Sequence, residues 1–342
     1  MYNQMPYRKR IPYGMMNFVD VREDDCYFVD KTVFIPALEA ANKFFFFIRP
    51  RRFGKSLTIS MLRHYYDVLD KDHFEKWYGG LYIGQHPTPE RNSYLVISLD
   101  FAEVLAEIGN YHSSLDAYCD TEFRSFCRRY ADYLPAGILE ELSLKEGAVE
   151  QLSFLHKRCA EAGRQLYLFI DEYDHFTNKI LSEPACLNDY KTETHGTGYL
   201  RSFFDTVKAG TKTSIKRVFV TGVSPVTMDD LTSGFNIGTN YSLSPEFNEL
   251  VGFTEEDVRA MLDYYATTCE FHHTTDELIA IMKPWYDNYC FAKQSFGRTT
   301  LYNSNMVLYF VDNYIRCGCE IPKRMIEENI RVDYNKLRML IR

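Results

Sequence analysis

The sequence lacks any apolar stretch able to cross a bilayer. Its longest strongly apolar run, Phe44 to Ile48, is far short of the roughly 20 residues a spanning helix needs. Met1 to Gly14 is polar and basic with no apolar core, so no secretory signal is legible. Excess positive charge is missing too: the formal net charge of −8 makes the chain as a whole a poor binder of polyanions. Two short basic clusters stand out, Arg8-Lys9-Arg10 and Arg49-Pro50-Arg51-Arg52, and the second falls inside a phosphate motif. Tryptophan is scarce, 2 residues against 25 Phe and 26 Tyr, and half-buried packing explains that aromatic weight more simply than a partner surface. The 9 cysteines show no framework spacing, and Cys317-Gly318-Cys319 has no His or Cys cluster beside it to complete a zinc site. The expectation is a cytoplasmic protein with free thiols and no membrane partner.

What is present is an α/β texture. At 342 residues there is room for two compact units. From about Phe28 to Phe247, apolar runs of strand length alternate with longer amphipathic stretches. Strands are expected at Phe44 to Ile48, Tyr94 to Phe101, Leu166 to Ile170, Arg217 to Thr221 and, more weakly, Tyr241 to Phe247. Helices are expected over Lys55 to Leu69, over most of Glu140 to Gly163, and within Gly198 to Ala209. Such alternation implies a mainly parallel sheet covered by helices on both faces. After Gly252 the pattern becomes mostly helical, beginning with Thr254 as an N-cap before Glu255 and Glu256. The expected division is residues 1–252 as a P-loop domain and 253–342 as a smaller helical lid or regulatory domain.

Three segments carry chemistry. Arg49-Pro50-Arg51-Arg52-Phe53-Gly54-Lys55-Ser56 lies between a strand and a helix and matches G-x-x-x-x-G-K-[ST] except at its first position. Gly54 lets backbone amides approach phosphate oxygens, Lys55 supplies a mobile charge to the β/γ-phosphates, and the Ser56 hydroxyl can ligate Mg²⁺. Arg49 replaces the first Gly, so the start of the loop must be built without left-handed backbone there. Leu166 to Ile170 ends in Asp171-Glu172, at the sheet edge where ligands bind in parallel α/β folds. Asp171 is a candidate Mg²⁺ ligand and Glu172 a candidate to polarise an attacking water. Taken alone the pair reads equally well as the opening of a solvated loop; the Gly-Lys-Ser after another buried strand favours the metal-site reading. Asp174 reads equally well as support for the metal or as a loop hydrogen-bonding group, and His175 as a surface residue. Thr221, closing the next strand, is placed to contact the γ-phosphate or the water, although a plain strand-ending Thr reads nearly as well.

With these segments goes a resemblance. The chain resembles the bacterial AAA-ATPase-like family, related to the STAND and archaeal ATPases, whose members commonly carry a PD-(D/E)XK-type nuclease domain downstream. The resemblance covers nearly the whole chain. It rests on Ile11-Pro12-Tyr13-Gly14, Val29-Asp30-Lys31-Thr32, Arg49 through Leu57, Asp171-Glu172-Tyr173-Asp174, Gly252-Phe253-Thr254, and Trp285 through Phe291. It implies an additional-strand ATPase fold with a catalytic Glu, and it makes Arg49 the family's own variant of the loop. It also implies that Asp30, Lys31 and Thr32 lie near the nucleotide, where the residues themselves read equally well as a cap for a helix starting near Val33. Asn288 and Ser304 depart from the family's usual Gly and Pro; the Ser304 change bears on a local loop and not on the ATPase core. No paired-acid nuclease core is legible, so either the chain is truncated or nuclease action is not its work.

The expected function is an ATP-binding P-loop ATPase with ATP and Mg²⁺ as cofactors, working as a switch coupled to a protein partner, a downstream domain or another copy of itself. The expected nucleotide contacts are Arg51, Arg52, Phe53, Gly54, Lys55, Ser56 and Leu57 with Asp30, Lys31 and Thr32. Lys55, Glu172 and Thr221 are the expected catalytic set, and Ser56 and Asp171 the metal ligands. The alternatives are a nucleotide-gated binding module with little turnover, acting on nucleic acid through a downstream domain or local patch, and a small-molecule kinase. No Asn-Lys-x-Asp guanine signature is present, which tilts the base toward adenine.

Overall fold

A computed structural model of the chain describes residues 8–104, 111–175, 198–224, 237–287 and 289–327. Asn288 therefore lies outside the described residues. The strands are β1 (Phe44–Ile48), β2 (Leu95–Asp100), β3 (Leu166–Asp171), β4 (Ile215–Gly222) and β5 (Thr239–Asn240). The described helices of twelve residues or more are α1 (Lys55–Tyr66), α2 (Tyr111–Arg129), α3 (Gly147–Glu161), α4 (Tyr199–Gly210), α5 (Glu255–Ala266), α6 (Thr275–Tyr286) and α7 (Ser304–Arg316). Two compact units divide the chain: one is 35–50 with 62–241, the other combines 1–34, 51–61 and 242–342.

The first unit is an α/β sheet unit. Its five strands run in the order β2-β3-β4-β1-β5, and every pairing is parallel. A parallel strand covered on both faces must be apolar on both, which is why Phe44-Phe45-Phe46-Phe47-Ile48 and Leu166-Tyr167-Leu168-Phe169-Ile170 read as continuous hydrophobic runs. The two faces differ. Phe46, Leu168, Ile170, Val218 and Val220 join a mixed aliphatic and aromatic core with α2, α3 and α4. On the other face Phe45 stacks on Phe219 at 5.1 Å and on Tyr241 at 4.5 Å, and Tyr167 stacks on Phe169 at 4.2 Å. Much of the aromatic richness is thus buried packing, with each such pair adding about 0.5–1.5 kcal/mol beyond its area.

Departures from the sequence reading have local causes. The helix expected to reach Leu69 stops at Tyr66, because the Asp67 carboxylate accepts from Leu69 N at 2.9 Å and starts a 3-10 turn. The helical stretch from Glu140 is broken before α3 at Gly147, whose φ is 72°. The strand expected over Tyr241 to Phe247 is instead the two-residue β5 beside β1, and Pro245–Phe247 is a 3-10 turn. Pro245 has no N–H to give a ladder.

The second unit is helical. Val258, Met261, Leu262, Leu278, Met282, Val307 and Phe310 form its core across α5, α6 and α7. The N-terminal segment packs there too: Tyr27 lies 5.2 Å from Tyr264 and Lys31 pairs with Asp257 at 2.7 Å. Among the described residues no helix is long and apolar enough to cross a membrane, and the eight described cysteines are free thiols. α5 begins at a reciprocal capping box, with Thr254 accepting from Asp257 N while Asp257 accepts from Thr254 N. Thr254→Ala should lower unfolding stability by about 1 kcal/mol in a denaturant titration.

Candidate functional site

The acidic edge belongs to the sheet unit. Parallel pairing places Asp171 at the carboxyl end of β3, with Asp100 opposite it on β2 and Thr221 one residue from the end of β4. The Thr221 hydroxyl donates to Asp171 Oδ1, and the same oxygen accepts from Glu172 N at 2.9 Å. Glu172 has φ 49°, a left-handed backbone unusual for a residue with a side chain. The turn that follows is stitched to β4. Tyr173 N donates to Thr221 O at 3.0 Å, and His175 N donates to Glu172 O at 2.8 Å. The fully buried Asp174 accepts from Val223 N at 3.1 Å and Ser224 N at 2.6 Å. Asp174 is thus a loop-building residue, one of the two roles its sequence allowed.

Asp100 was not singled out by sequence, although Leu95 to Asp100 is, like Leu166 to Asp171, an apolar run closing on an acid. Burial raises its carboxyl above the ordinary range and the neighbouring Asp171 charge adds to this, against the hydrogen bond from Ala102 N at 2.9 Å.

The start of the loop is also in the sheet unit. Arg49 is buried, donates from its backbone to Gly222 O at 3.2 Å and from Nη1 to Ile48 O at 2.9 Å, and lies 4.1 Å over the Phe47 ring. Burial pushes its guanidinium down to about 9. The left-handed positions of the loop are Arg52, φ 70°, and Gly54, φ 93°. Arg49 is not among them, so the missing first Gly is bypassed in the way its chemistry requires.

From Arg51 onward the loop belongs to the helical unit, and its carbonyls are anchored there. Arg51 O accepts from Asn303 Nδ2 at 3.3 Å, Arg52 O from Ser304 Oγ at 3.2 Å and Asn305 N at 3.3 Å, and Phe53 O from Gly252 N at 2.9 Å. The Phe53 ring sits edge-on to Tyr289 at 4.7 Å and Phe291 at 5.6 Å. Because a trans peptide points its N–H opposite its C=O, three anchored carbonyls orient the amides of Arg52, Phe53 and Gly54 toward the other side of the loop. Lys55, buried, opens α1, where Thr58 N closes the first turn on Gly54 O at 3.0 Å; Ser56 and Leu57 follow, each half-buried. An array of amides at a helix N-terminus suits an anion. In the same unit Asp30 Oδ1 accepts from Thr32 N at 2.8 Å, just ahead of the 3-10 turn Thr32–Phe34. Lys31 is the residue that pairs with Asp257.

Gly252 and the Tyr289–Phe291 segment were legible only as parts of the resemblance, Ser304 only as a departure from it, and Asn303 not at all, since residues some 200–250 positions away carry no local signal of the loop they support. Ser304 is the first residue of α7, a position where Pro fits well, and here it gives a hydroxyl that Pro would lack. Among the described residues no group of three or more His, Cys, Asp or Glu could hold a metal by itself.

A parallel sheet that leads from β1 into a Gly-Lys-Ser loop, with acids closing β3 and β4 lying between the two strands, defines a P-loop nucleotide-binding protein. More narrowly, the chain belongs to the AAA-ATPase-like family, described as predicted AAA-ATPases, whose pattern matches residues 12–232. One relative, an uncharacterized protein in the vnfD 5′ region of Azotobacter chroococcum mcd 1, is 26% identical over 267 residues, covering 74% of this chain and 45% of that protein. Among solved structures, Cdc6p from Pyrobaculum aerophilum matches with a TM-score of 0.37 and 13% identity, covering 93% of this chain and 65% of the other. The chain thus spans less than half of the first relative and about two thirds of the second.

The turn after β3 gives a direct check on this geometry. A Cβ on Gly222 would meet the Tyr173 ring at 2.4 Å and Asp174 Oδ1 at 2.5 Å. Gly222→Ala should cost about 1–3 kcal/mol of stability by overpacking, read as a lowered melting temperature.

Proposed function

We propose that the chain binds ATP with Mg²⁺ and hydrolyses it, and that this acts as a switch on a partner, a downstream domain or a second copy. The observation that carries the reading is the bonded set at the carboxyl edge: Asp171 fixed by Thr221, and Glu172 held in left-handed backbone beside it. Backbone outliers of this kind concentrate where a side chain must be aimed for function. In this reading the loop amides, Lys55 and the residues Arg51 to Leu57 hold the phosphates, with Asp30, Lys31 and Thr32 nearby. The Ser56 hydroxyl and the Asp171 carboxylate are hard oxygen donors and suit Mg²⁺, which when bound neutralises charge on the β/γ-phosphates. Glu172 accepts a proton from the attacking water. Thr221, bonded to Asp171, is placed to contact the γ-phosphate or the attacking water. Residues 253–342 serve as the lid or regulatory part.

Lys55→Ala should weaken ATP binding by about 100-fold or more, the loss expected when one side of a charge-assisted contact is removed. Glu172→Gln should keep binding and lower turnover by about 10²–10⁴-fold, the usual range for a general base. Calorimetric titration and phosphate release together check both. Multiple turnovers by Glu172→Gln at the wild-type rate would refute its role, and a wild-type chain that binds ATP without turnover would instead be a nucleotide-gated binding module.

A further inference from the structure

Arg52 has two attachments within the helical unit. Its carbonyl is held by Ser304 and Asn305, and its guanidinium Nη1 donates to Glu327 Oε2 at 2.6 Å, with the two side chains 26% and 24% exposed. Glu327 is itself clamped. The Tyr13 hydroxyl hydrogen-bonds it; burial, and then this bond, push Tyr13 above the ordinary phenol range. The Tyr13 ring lies 5.6 Å from Tyr309. Two residues before Glu327, Met325 O accepts from Tyr286 Oη at 2.5 Å, and Ile321, Met325 and Ile326 pack on the helical core. Residues 321–327 therefore form a strap that carries a carboxylate aimed at a cation of the loop.

A carboxylate and a phosphate oxyanion present the same acceptor geometry to a guanidinium, which stays charged in either setting. Arg52 lies among the amides assigned to phosphate, so the two anions draw on one cation. We propose that Glu327 is an internal competitor for nucleotide phosphate, and that triphosphate binding transfers Arg52 from Glu327 to the β/γ-phosphates and loosens the strap around Glu327. The inference rests on the P-loop reading given above. It makes the strap a regulatory element of the same site. By linkage, whatever displaces residues 321–327 tightens nucleotide binding, and nucleotide loosens the strap by the same factor.

A scaffolding role for Glu327 would act in the opposite direction. The Arg52 backbone is fixed by Ser304 and Asn305, so the shape of the loop does not require the Glu327 charge. If Glu327 only braced the loop, removing its charge would loosen the cradle and weaken binding.

The test is titration of the full chain with ATP and Mg²⁺ by calorimetry. Glu327→Gln should bind ATP about three- to tenfold tighter, the effect of releasing a partly exposed charge-assisted pair. Tyr13→Phe should shift affinity in the same direction by less, which keeps the test alive if Glu327→Gln folds poorly. Arg52→Gln should bind more weakly, and adding Glu327→Gln to it should change nothing further, since the competition acts through that one guanidinium. In the wild type, ATP should speed amide hydrogen exchange over Met325 to Glu327. Wild-type binding with unchanged or weaker affinity in Glu327→Gln would overturn the competitor while leaving the P-loop reading intact. A wild-type chain with no affinity for ATP would overturn both.

Discussion

Much of the candidate chemistry depends on β4 lying in register between β1 and β3. All three strands run the same way, so their carboxyl ends share one edge, and Asp171, Thr221 and the start of the phosphate loop are brought to that edge by the ladder itself. A slip of one residue would turn every side chain of a strand to the opposite face and separate Thr221 from Asp171. The ladder resists such a slip because both faces are filled, one with stacked aromatics and the other with a mixed aliphatic and aromatic core. Beyond the strand ends the pairing continues in another form, as the carboxylate of Asp174 takes the backbone donors leaving β4. The acidic turn therefore inherits the rigidity of the sheet, although no strand includes it.

The phosphate loop has a different source of order. It is short, rich in cationic side chains and left-handed at Arg52, a residue type that does not favour such backbone. What stabilises it is a row of donors from Gly252, Asn303, Ser304 and Asn305, all in the unit built by α5, α6 and α7. The loop and the C-terminal helices thus share hydrogen bonds, and a change in one is felt as lost bonds in the other. Residues 321–327, which pack on those same helices, reach the loop through Glu327 and Arg52.

Legibility in the sequence followed locality. Phe44 to Ile48 and Leu166 to Ile170 announced themselves because burial on both faces demands unbroken hydrophobicity, and Gly54-Lys55-Ser56 because the chemistry is contiguous. The Thr254 cap was readable for the same reason. The 19-residue helix Tyr111–Arg129 was not, because its buried face uses Tyr111, Cys119, Phe123 and Cys127 where a clear aliphatic stripe would be expected. β5 pairs over two residues and leaves no periodicity to detect. The Arg52–Glu327 pair joins residues far apart in the chain, and charge alone does not distinguish Glu327 from its neighbours. Arg49 shows the intermediate case: its departure from the phosphate motif was plain, but only the fold shows it buried over Phe47 with the left-handed turn displaced to Arg52 and Gly54.

The most direct measurement is a structure of the chain with a non-hydrolysable ATP analogue and Mg²⁺. Triphosphate oxygens are expected on the backbone amides from Arg52 to Ser56, with the metal ligated by the Ser56 hydroxyl and held, directly or through water, by Asp171. Nucleotide bound away from these amides, or a metal that neither residue approaches, would contradict the assignment.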